Sequence, residues 1–358
     1  MMRITDSVSL IQRLSLAFGP SGCEDNVKEI IKELVQPYCD EMITDRLGNL
    51  ICKMPLGDKE APDRAKIMIA AHTDEVGFMI DGIRSDGMLT FGCVGGIDPS
   101  VLAGRKVYVG NEKELLRGVI CSKAIHHTEK DEREKPTSVD KLYIDLGFTS
   151  REEAQERIDI GDFGTFDSEF YRLGKDGCMI KGKALDDRMG CAAMIEIMKE
   201  LSEQSPDVNA DVYFCFTVRE EIGYSGAAAA ASRVKPDIAV VLESTAIGDI
   251  PETEAHKRVA DVGGGVVVSV ADRATIYDRE TVDRVMNLAS ESGVRAQIKR
   301  YVSGGNDAGK IHKTIDGIKV LALSVPTRYL HSPSCVAALD DYVAARELAK
   351  NIVIKKFV

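Results

Sequence analysis

Four near-continuous apolar runs constrain the fold of this chain more than any other feature. They are KIMIAA at 66–71, VYFCFTV at 212–218, IAVVL at 238–242 and KVLALSV at 319–325. Each run is far shorter than a membrane span, and a strand without polar alternation is typically covered on both faces. Stretches with helical periodicity, such as GCAAMIEIMKEL and ETVDRVMNLASES, occur between them. The pattern therefore predicts a buried sheet that is flanked by helices.

The segment from about Gly77 to Lys175 has a different texture, which predicts a separate unit. Short runs such as GMLTFGCV, RKVYVG and RGVICSK are separated by Gly, Asp and Asn, a pattern typical of a compact β-rich structure. A chain of 358 residues can hold one large domain with an insertion. We predict an α/β fold, a mixed sheet flanked by helices, formed by residues 1–76 and 176–358 and interrupted by a small β-barrel-like domain at 77–175.

Composition and charge argue against several classes of function. A net charge of −11 disfavours a dedicated nucleic-acid binder and a protein of anionic membrane surfaces. Nine cysteines without CxxC spacing predict reduced thiols in place of a disulfide framework. The N-terminal MMRITDSVSLIQRLSLAFG predicts an amphipathic helix and not a signal peptide. We expect a cytoplasmic protein without membrane partners, and we interpret the charge run EKDEREK at 129–135 as a solvated, mobile loop.

Polar side chains directly follow several of the predicted strands. In an open α/β sheet, ligands bind beyond the carboxyl ends of the strands, so these residues are candidates for one site. They are His72 and Asp74, Asp186 and Asp187, Arg219, Glu220 and Glu221, Glu243, and His331. Each alone is a weak signal, because a single His or Glu at a strand end is more often structural. Together, the carboxylates would repel each other and lose solvation unless cations lay between them.

The residue types in this set fit a pair of divalent cations. Two imidazoles and three carboxylates, with one Asp shared, give each cation a His, a terminal carboxylate and a bridging oxygen. Such cations lie roughly 3.5–4 Å apart and acidify a water between them. We assign His72, Asp186 and Glu243 to one cation, and Asp186, Glu221 and His331 to the other. These ligand types accept zinc, cobalt and manganese alike.

Two acidic residues beside these ligands are predicted to have catalytic roles. Asp74 lies two residues from His72. Its carboxylate can accept the second imidazole N–H, which fixes the tautomer. Glu220 precedes a ligand and is itself unassigned, so we expect it to act as the general base. It would take a proton from the water and deliver it to the leaving amine.

Four motifs give this set of residues a family context. AAHTDEVGF, KALDDRMGC, FTVREEIGYSGA and VPTRYLHSP resemble the motifs of the glutamyl-aminopeptidase and tetrahedral-aminopeptidase family of dinuclear metallopeptidases. The resemblance covers nearly the whole chain and implies a zinc-exopeptidase-type fold. It implies removal of N-terminal residues from peptide substrates, with two zinc or cobalt ions per subunit. It also implies that the insertion is a dimerisation domain, that dimers form a tetrahedral dodecamer, and that a cis peptide joins Asp186 to Asp187.

The departures from the family pattern include three single positions. Glu243 stands where many members carry Asp, and its longer side chain can still coordinate a cation. Asn306 stands where Thr is common, and Cys335 where Glu is common. We expect the last two to bear on the shape of the pocket and not on the ligand set.

Alternative functions remain open on the sequence. The same constellation serves carboxypeptidases and N-deacylases, in which an Arg reads a substrate carboxylate, and Arg188, Arg219 or Arg328 could do so. A catalytically inactive, shell-forming homologue is a second alternative, which the complete ligand set disfavours. GGNDAGK at 304–310 fits the start of a P-loop, but Ile311 replaces the hydroxyl residue that binds magnesium. We predict a turn there that leads into a helix beside the site.

Overall fold

Helices and strands follow one another in the order that the apolar patterns predict. The computed structural model describes residues 4–111, 113–127, 136–251, 253–355 and 357, so the charge run at 129–135 lies outside the described residues. The helices are α1 (Ile4–Leu16), α2 (Asp25–Val35), α3 (Arg151–Gln155), α4 (Leu185–Gln204), α5 (Ser225–Val234), α6 (Arg279–Glu291), α7 (Ala308–Ile311) and α8 (Leu339–Ile354). Within these ranges, no helix combines the length and the apolar character needed to cross a membrane. The cytoplasmic location and the lack of a nucleic-acid partner stay predictions.

The strands form one large sheet and one barrel. They are β1 (Glu41–Thr44), β2 (Leu50–Leu56), β3 (Ala65–His72), β4 (Gly77–Ile83), β5 (Leu89–Val94), β6 (Lys106–Gly110), β7 (Leu115–Cys121), β8 (Tyr143–Asp145), β9 (Phe163–Phe166), β10 (Tyr171–Leu173), β11 (Met179–Gly182), β12 (Ala210–Thr217), β13 (Ile238–Ala246), β14 (Val266–Val268), β15 (Ala296–Ile298), β16 (Lys319–Arg328) and β17 (Cys335–Ala338).

The large sheet is mixed and has 11 strands. Its order is β1-β2-β12-β3-β13-β16-β17-β11-β10, and β14 joins β15 to β16. The central strands β12, β3, β13 and β16 run parallel to one another, and their residues are buried almost without interruption. This burial explains their unbroken apolar runs, because helices cover both faces of a sheet of this kind. The predicted α/β class, a mixed sheet flanked by helices, is confirmed.

Strand register places the polar residues at one edge of this sheet. His72 is the last residue of β3 and pairs with Thr217, the last residue of β12. Glu243 in β13 pairs with Ser324 in β16. Since these four strands are parallel, their carboxyl ends meet at the same edge, and the residues that follow them lie together there.

Strands β4 to β9 close a barrel of their own, which confirms the small inserted β-rich unit. The barrel order is β4-β5-β8-β7-β6-β9. Its core is separate from that of the sheet and includes Phe78, whose ring meets those of Phe91 and Phe166 edge-on at 5.3 and 5.2 Å. Strand β10, within the range 77–175, pairs with β11 of the large sheet. The proposed role of the insertion in dimerisation stays a prediction.

Glu75 connects the barrel to the large domain through buried charges. One carboxylate oxygen of Glu75 accepts hydrogen bonds from Lys183 and, at 3.4 Å, from Arg188. The other accepts a 2.8 Å hydrogen bond from the hydroxyl of Thr165 in β9. All three charged side chains are buried, and Glu75 is the shared counter-charge of the two cations. The position of the barrel therefore depends on this cluster.

Replacing Glu75 by Ala should destabilise the fold by about 3–5 kcal/mol, because two buried cations lose their counter-charge. The measurement is the free energy of unfolding from denaturant titration. The matched control is Glu33→Ala, which removes an exposed ion pair with Arg13 and should leave the unfolding midpoint almost unchanged. Equal losses in the two variants would contradict the role of the cluster.

Candidate metal centre

The predicted ligands come from five different segments that meet at the carboxyl edge of the sheet. His72 ends β3, Glu243 lies in β13, Glu221 follows β12, and His331 follows β16. Asp186 lies at the start of α4, and a cis peptide bond joins it to the next residue, as the family resemblance implies. The structure thus brings the predicted ligand set together in space.

Asp186 lies between the two imidazoles. Its Oδ1 is 3.4 Å from Nε2 of His72, and its Oδ2 is 3.7 Å from Nε2 of His331. On the first side, His72 Nε2 is 3.7 Å from a carboxylate oxygen of Glu243. On the second side, His331 Nε2 is 3.3 Å from a carboxylate oxygen of Glu221. These distances divide the residues into two groups that share one carboxylate.

The electrostatics of this cluster favour added positive charge. Burial raises the pKa of Glu221 and, well above its ordinary value, that of Glu243, and neighbouring carboxylates act in the same direction. Burial alone would lower the pKa of His331, but Asp186 and Glu221 raise it to about 11. The pKa of His72 is likewise raised well above its ordinary value, against the effect of burial. The carboxylates therefore create a field in which even imidazole is stabilised as a cation.

The donor atoms of this cluster fit divalent cations. The buried carboxylate oxygens without a hydrogen-bond partner among the described residues include three in or beside this cluster: Oδ1 of Asp186, Oδ2 of Asp187 and Oε1 of Glu243. A buried oxygen without a partner costs free energy, and a bound cation would remove that cost. His72, Asp186 and Glu221 also present ligand atoms that lie within 4.8 Å of one another. Imidazole nitrogens and carboxylate oxygens suit zinc, cobalt or manganese.

Asp74 holds the turn that carries the two neighbouring glutamates. Its fully buried carboxylate accepts the backbone N–H groups of Glu220 at 3.0 Å and Glu221 at 3.1 Å. The same carboxylate is 3.4 Å from Nδ1 of His72, and the backbone carbonyl of Asp74 is 3.1 Å from that nitrogen. Asp74 therefore lies beside the imidazole, but the hydrogen bond of Nδ1 goes to its backbone carbonyl, and the predicted bond to its carboxylate stays a prediction. Asp74 also fixes the glutamate backbone, which the sequence pattern does not reveal.

The inserted barrel reaches the site through its backbone. The Nδ1–H of His331 donates a 2.7 Å hydrogen bond to the carbonyl oxygen of Gly96, in the loop after β5. This bond fixes the tautomer, so Nε2 is left to face Asp186 and Glu221. Sequence reasoning missed this contact because any residue type can supply a backbone carbonyl.

A cavity of about 800 Å³ opens beside this cluster. Its walls come from the end of β13, the loop Ser303–Asn306, the loop around His331 and the barrel residues Gly96, Asp98 and Arg105. Asn306 precedes the short helix α7, so the P-loop-like stretch forms the turn into a helix that the sequence predicts. A volume of this size accommodates a small ligand or the end of a peptide.

Comparisons with known proteins agree on one family. The family model described as M42 glutamyl aminopeptidase matches residues 48–348. The lysyl aminopeptidase of Pyrococcus furiosus is 30% identical over 348 residues, which are 96% of each chain. The TET aminopeptidase of Thaumarchaeota archaeon SCGC AB-539-E09 superposes with a TM-score of 0.92 at 34% identity, covering 99% of both chains. The TET1 peptidase of Pyrococcus horikoshii superposes with a TM-score of 0.86 at 32% identity, covering 99% of this chain and 100% of that one. That peptidase can assemble into a tetrahedron or a large octahedral shell.

Substitution of Gly95 should weaken cation binding at the half of the site that contains His331. Gly95 has a φ of +82°, and a Cβ there would lie 2.8 Å from Cγ1 of Val76 and 3.3 Å from Cβ of Glu221. Gly95→Ala should therefore move the Gly96 carbonyl away from the imidazole. We expect about 10–100-fold weaker binding of one divalent cation, measured by calorimetric titration of metal-stripped protein.

The matched control is Gly96→Ala. Its Cβ would lie 3.7 Å from Nδ1 of His331, an ordinary contact. This variant should bind both cations normally because its carbonyl stays in place. Normal binding by Gly95→Ala, or an equal loss in both variants, would contradict the positioning role of the loop.

Proposed function

The chain belongs to the M42 glutamyl aminopeptidase family and is a peptide hydrolase, and from this we propose that it removes N-terminal residues from peptides with two divalent cations and a glutamate base. The observation that carries the proposal is the position of Asp186, whose two oxygens face two separate imidazoles. In this proposal His72, Asp186 and Glu243 would hold one cation, and Asp186, Glu221 and His331 would hold the other.

The two cations, when bound, supply Lewis acidity that polarises the scissile carbonyl and acidifies the attacking water. The protein's own residues then move the proton. Glu220 lines the cavity, and its Oε2 is 4.0 Å from Nε2 of His72, so it lies beside the proposed ligands without being needed in either group. We assign it the transfer of a proton from the water to the leaving amine. Asp74 supports this role because it holds the backbone N–H of Glu220.

The alternative carboxypeptidase or N-deacylase function loses support from the positions of the three arginines. Arg188 is fully buried and donates a 2.7 Å hydrogen bond to the carbonyl of Thr73. Arg328 forms two 2.7 Å hydrogen bonds with Asp249. Neither of them, nor Arg219, lines the cavity. These three arginines are therefore poorly placed to read a substrate carboxylate, and the alternative function would have to use Lys299 or Arg105, which do line the cavity.

The direct test of this function uses matched substrates and one variant. Metal-stripped protein reloaded with zinc, cobalt or manganese should hydrolyse aminoacyl anilides but not N-acyl amino acids. Glu220→Gln should keep two bound cations per subunit and lower the turnover of these anilides by about 10²–10⁴-fold, because the proton acceptor is lost. Metal content is measured by elemental analysis and turnover by release of the aniline.

The control for the test is Glu203→Gln, an exposed substitution in α4 that should leave both quantities unchanged. A nearly normal rate for Glu220→Gln would overturn its role as the base. Hydrolysis of N-acyl amino acids without hydrolysis of anilides would overturn the aminopeptidase function itself. Hydrolysis of neither substrate would favour the catalytically inactive alternative.

Self-association is the second part of the proposal, with dimers formed through the barrel and a tetrahedral dodecamer built from dimers. The assembly described for the Pyrococcus horikoshii relative supports it. The barrel also presents apolar side chains to solvent along β7, where Leu115 is 37% and Val119 is 43% exposed. These two residues lie on the same face of the strand, because side chains alternate along it.

The protein should therefore have a molar mass in light scattering that is a multiple of its 39.0 kDa chain. The double substitution Leu115→Glu and Val119→Glu should reduce that mass, because charged side chains would be buried in the contact. The control is Lys113→Glu, an exposed substitution just before β7 that should leave the mass unchanged. A wild-type protein of single-chain mass, or an unchanged mass in the double variant, would contradict the proposal.

A further inference from the structure

Lys299 is a buried cation in the wall of the cavity. Its side chain lines the cavity, and the residue is only 7% exposed. Its Nζ donates one hydrogen bond, 2.9 Å long, to the backbone carbonyl of Ser303. Within the described part of the chain it forms no ion pair. A lysine ammonium carries three donors, so most of its capacity to bind an anion remains available.

The two carboxylates that act on Lys299 electrostatically have other partners. They belong to Asp272 and Glu243. Asp272 accepts the backbone N–H groups of Ala274 and Thr275 at 2.7 and 2.8 Å and the hydroxyl of Tyr277 at 2.8 Å. Glu243 is a cation ligand in the proposed function. The residues that the structure describes therefore supply no dedicated counter-charge for a lysine that lies almost entirely out of water, where an unpaired charge is costly.

The local backbone directs Lys299 inward. Strand β15 ends at Ile298, but the backbone N–H of Lys299 still donates a 2.9 Å hydrogen bond to the carbonyl of Val268, so the extended conformation continues. Side chains alternate in extended backbone. Accordingly, Arg300 points to the surface, where it forms an exposed ion pair with Asp261. The extended backbone therefore directs the side chain of Lys299 toward the cavity and that of Arg300 toward the surface.

The surroundings of Lys299 are suited to a charged ligand. The hydroxyl side chains of Tyr224, Thr245 and Ser324 line the same cavity. Hydroxyl groups can donate hydrogen bonds to a carboxylate on a bound ligand. An apolar side chain on the ligand would leave the hydroxyl groups and the Lys299 ammonium without partners. The other lysine or arginine in the cavity lining is Arg105 of the barrel, and it is exposed. Lys299 is therefore the buried basic residue of this cavity.

We infer that Lys299 selects an acidic side chain, Glu or Asp, on the N-terminal residue of the peptide substrate. The inference rests on the proposed function, in which the first residue of the peptide is held in the cavity that Lys299 shares with proposed cation ligands. That first residue is the part of the substrate able to reach a buried group. The family itself leaves the preference open, since a glutamyl family description and a lysyl relative both match the chain.

The first experiment measures kcat/KM of the reloaded wild-type protein on four aminoacyl anilides of similar length: glutamyl, glutaminyl, methionyl and lysyl. Glutamate and glutamine have nearly the same shape and differ in charge. We expect a preference for glutamyl over glutaminyl of about tenfold or more, the size of one charge-assisted hydrogen bond. Hydrolysis of the other anilides with no preference for glutamyl would overturn the inference alone. Hydrolysis of none would overturn the proposed function, and the inference with it.

The second experiment removes or reverses the charge. Lys299→Met keeps a side chain of similar length and should reduce the glutamyl-to-glutaminyl ratio to about one, mainly through a higher KM for the glutamyl substrate. Lys299→Glu should reverse the preference between glutamyl and lysyl substrates. The neighbouring control Arg300→Gln should keep the wild-type ratio, because its side chain points to the surface. An unchanged ratio in Lys299→Met would overturn the inference.

A third measurement needs no variant and so does not depend on variant folding. Free glutamate should inhibit wild-type hydrolysis of the methionyl anilide at a concentration about tenfold or more below that needed for free glutamine. Equal inhibition constants for the two amino acids would count against a role of Lys299 in reading the charge.

Discussion

Crowding of negative charge at the carboxyl edge of four parallel strands is the constraint on which the site depends. Asp186 lies within ion-pair distance of two imidazoles, and Glu243 and Glu221 each lie within that distance of one of them. Such an arrangement is unfavourable unless positive charge lies among the carboxylates. The field of these carboxylates raises the pKa values of both imidazoles, and the carboxylate oxygens of Asp186 and Glu243 without partners among the described residues are free to contact a cation. The fit of this cluster to divalent cations follows from this field, and the proposed hydrolytic chemistry rests on that fit.

The buried basic side chains around the site have two different roles. Behind the site, Arg188 and Lys183 pair with Glu75, and Arg188 also donates to backbone carbonyls. These cations hold the loop after β3 and the start of α4 in place, and Arg188 is therefore a structural residue. Lys299 differs because it faces the cavity and, among the described residues, donates its hydrogen bond to a backbone carbonyl and not to a carboxylate. Arg188 and Lys183, which have a counter-charge, therefore stabilise the fold, whereas the ammonium of Lys299 is available to bind an anionic ligand.

The sequence predicts much of this architecture because buried parallel strands are recognisable from their apolar runs, and the site lies where those strands end. Unbroken apolar runs identify β3, β12, β13 and β16, and polar residues after such runs must meet at one edge of the sheet. What the sequence could not reveal depends on backbone geometry. The carbonyl of Gly96 that orients His331 has no residue signature. Lys299 follows β15, and its place in the cavity wall depends on the packing of segments that are distant in the sequence, so it is visible only in three dimensions.

The barrel is part of the site as well as a candidate surface for self-association. The chain enters it a few residues after His72 and returns to the sheet shortly before Asp186. Two further contacts fix it, the hydrogen bond between His331 and Gly96 and the buried bond between Thr165 and Glu75. A shift of the barrel would therefore change the orientation of His331 and, through Glu75, the segment that carries Asp74. In an assembly formed through the barrel, contacts between subunits would restrain the same backbone that positions the cation ligands, so assembly and site geometry would be coupled.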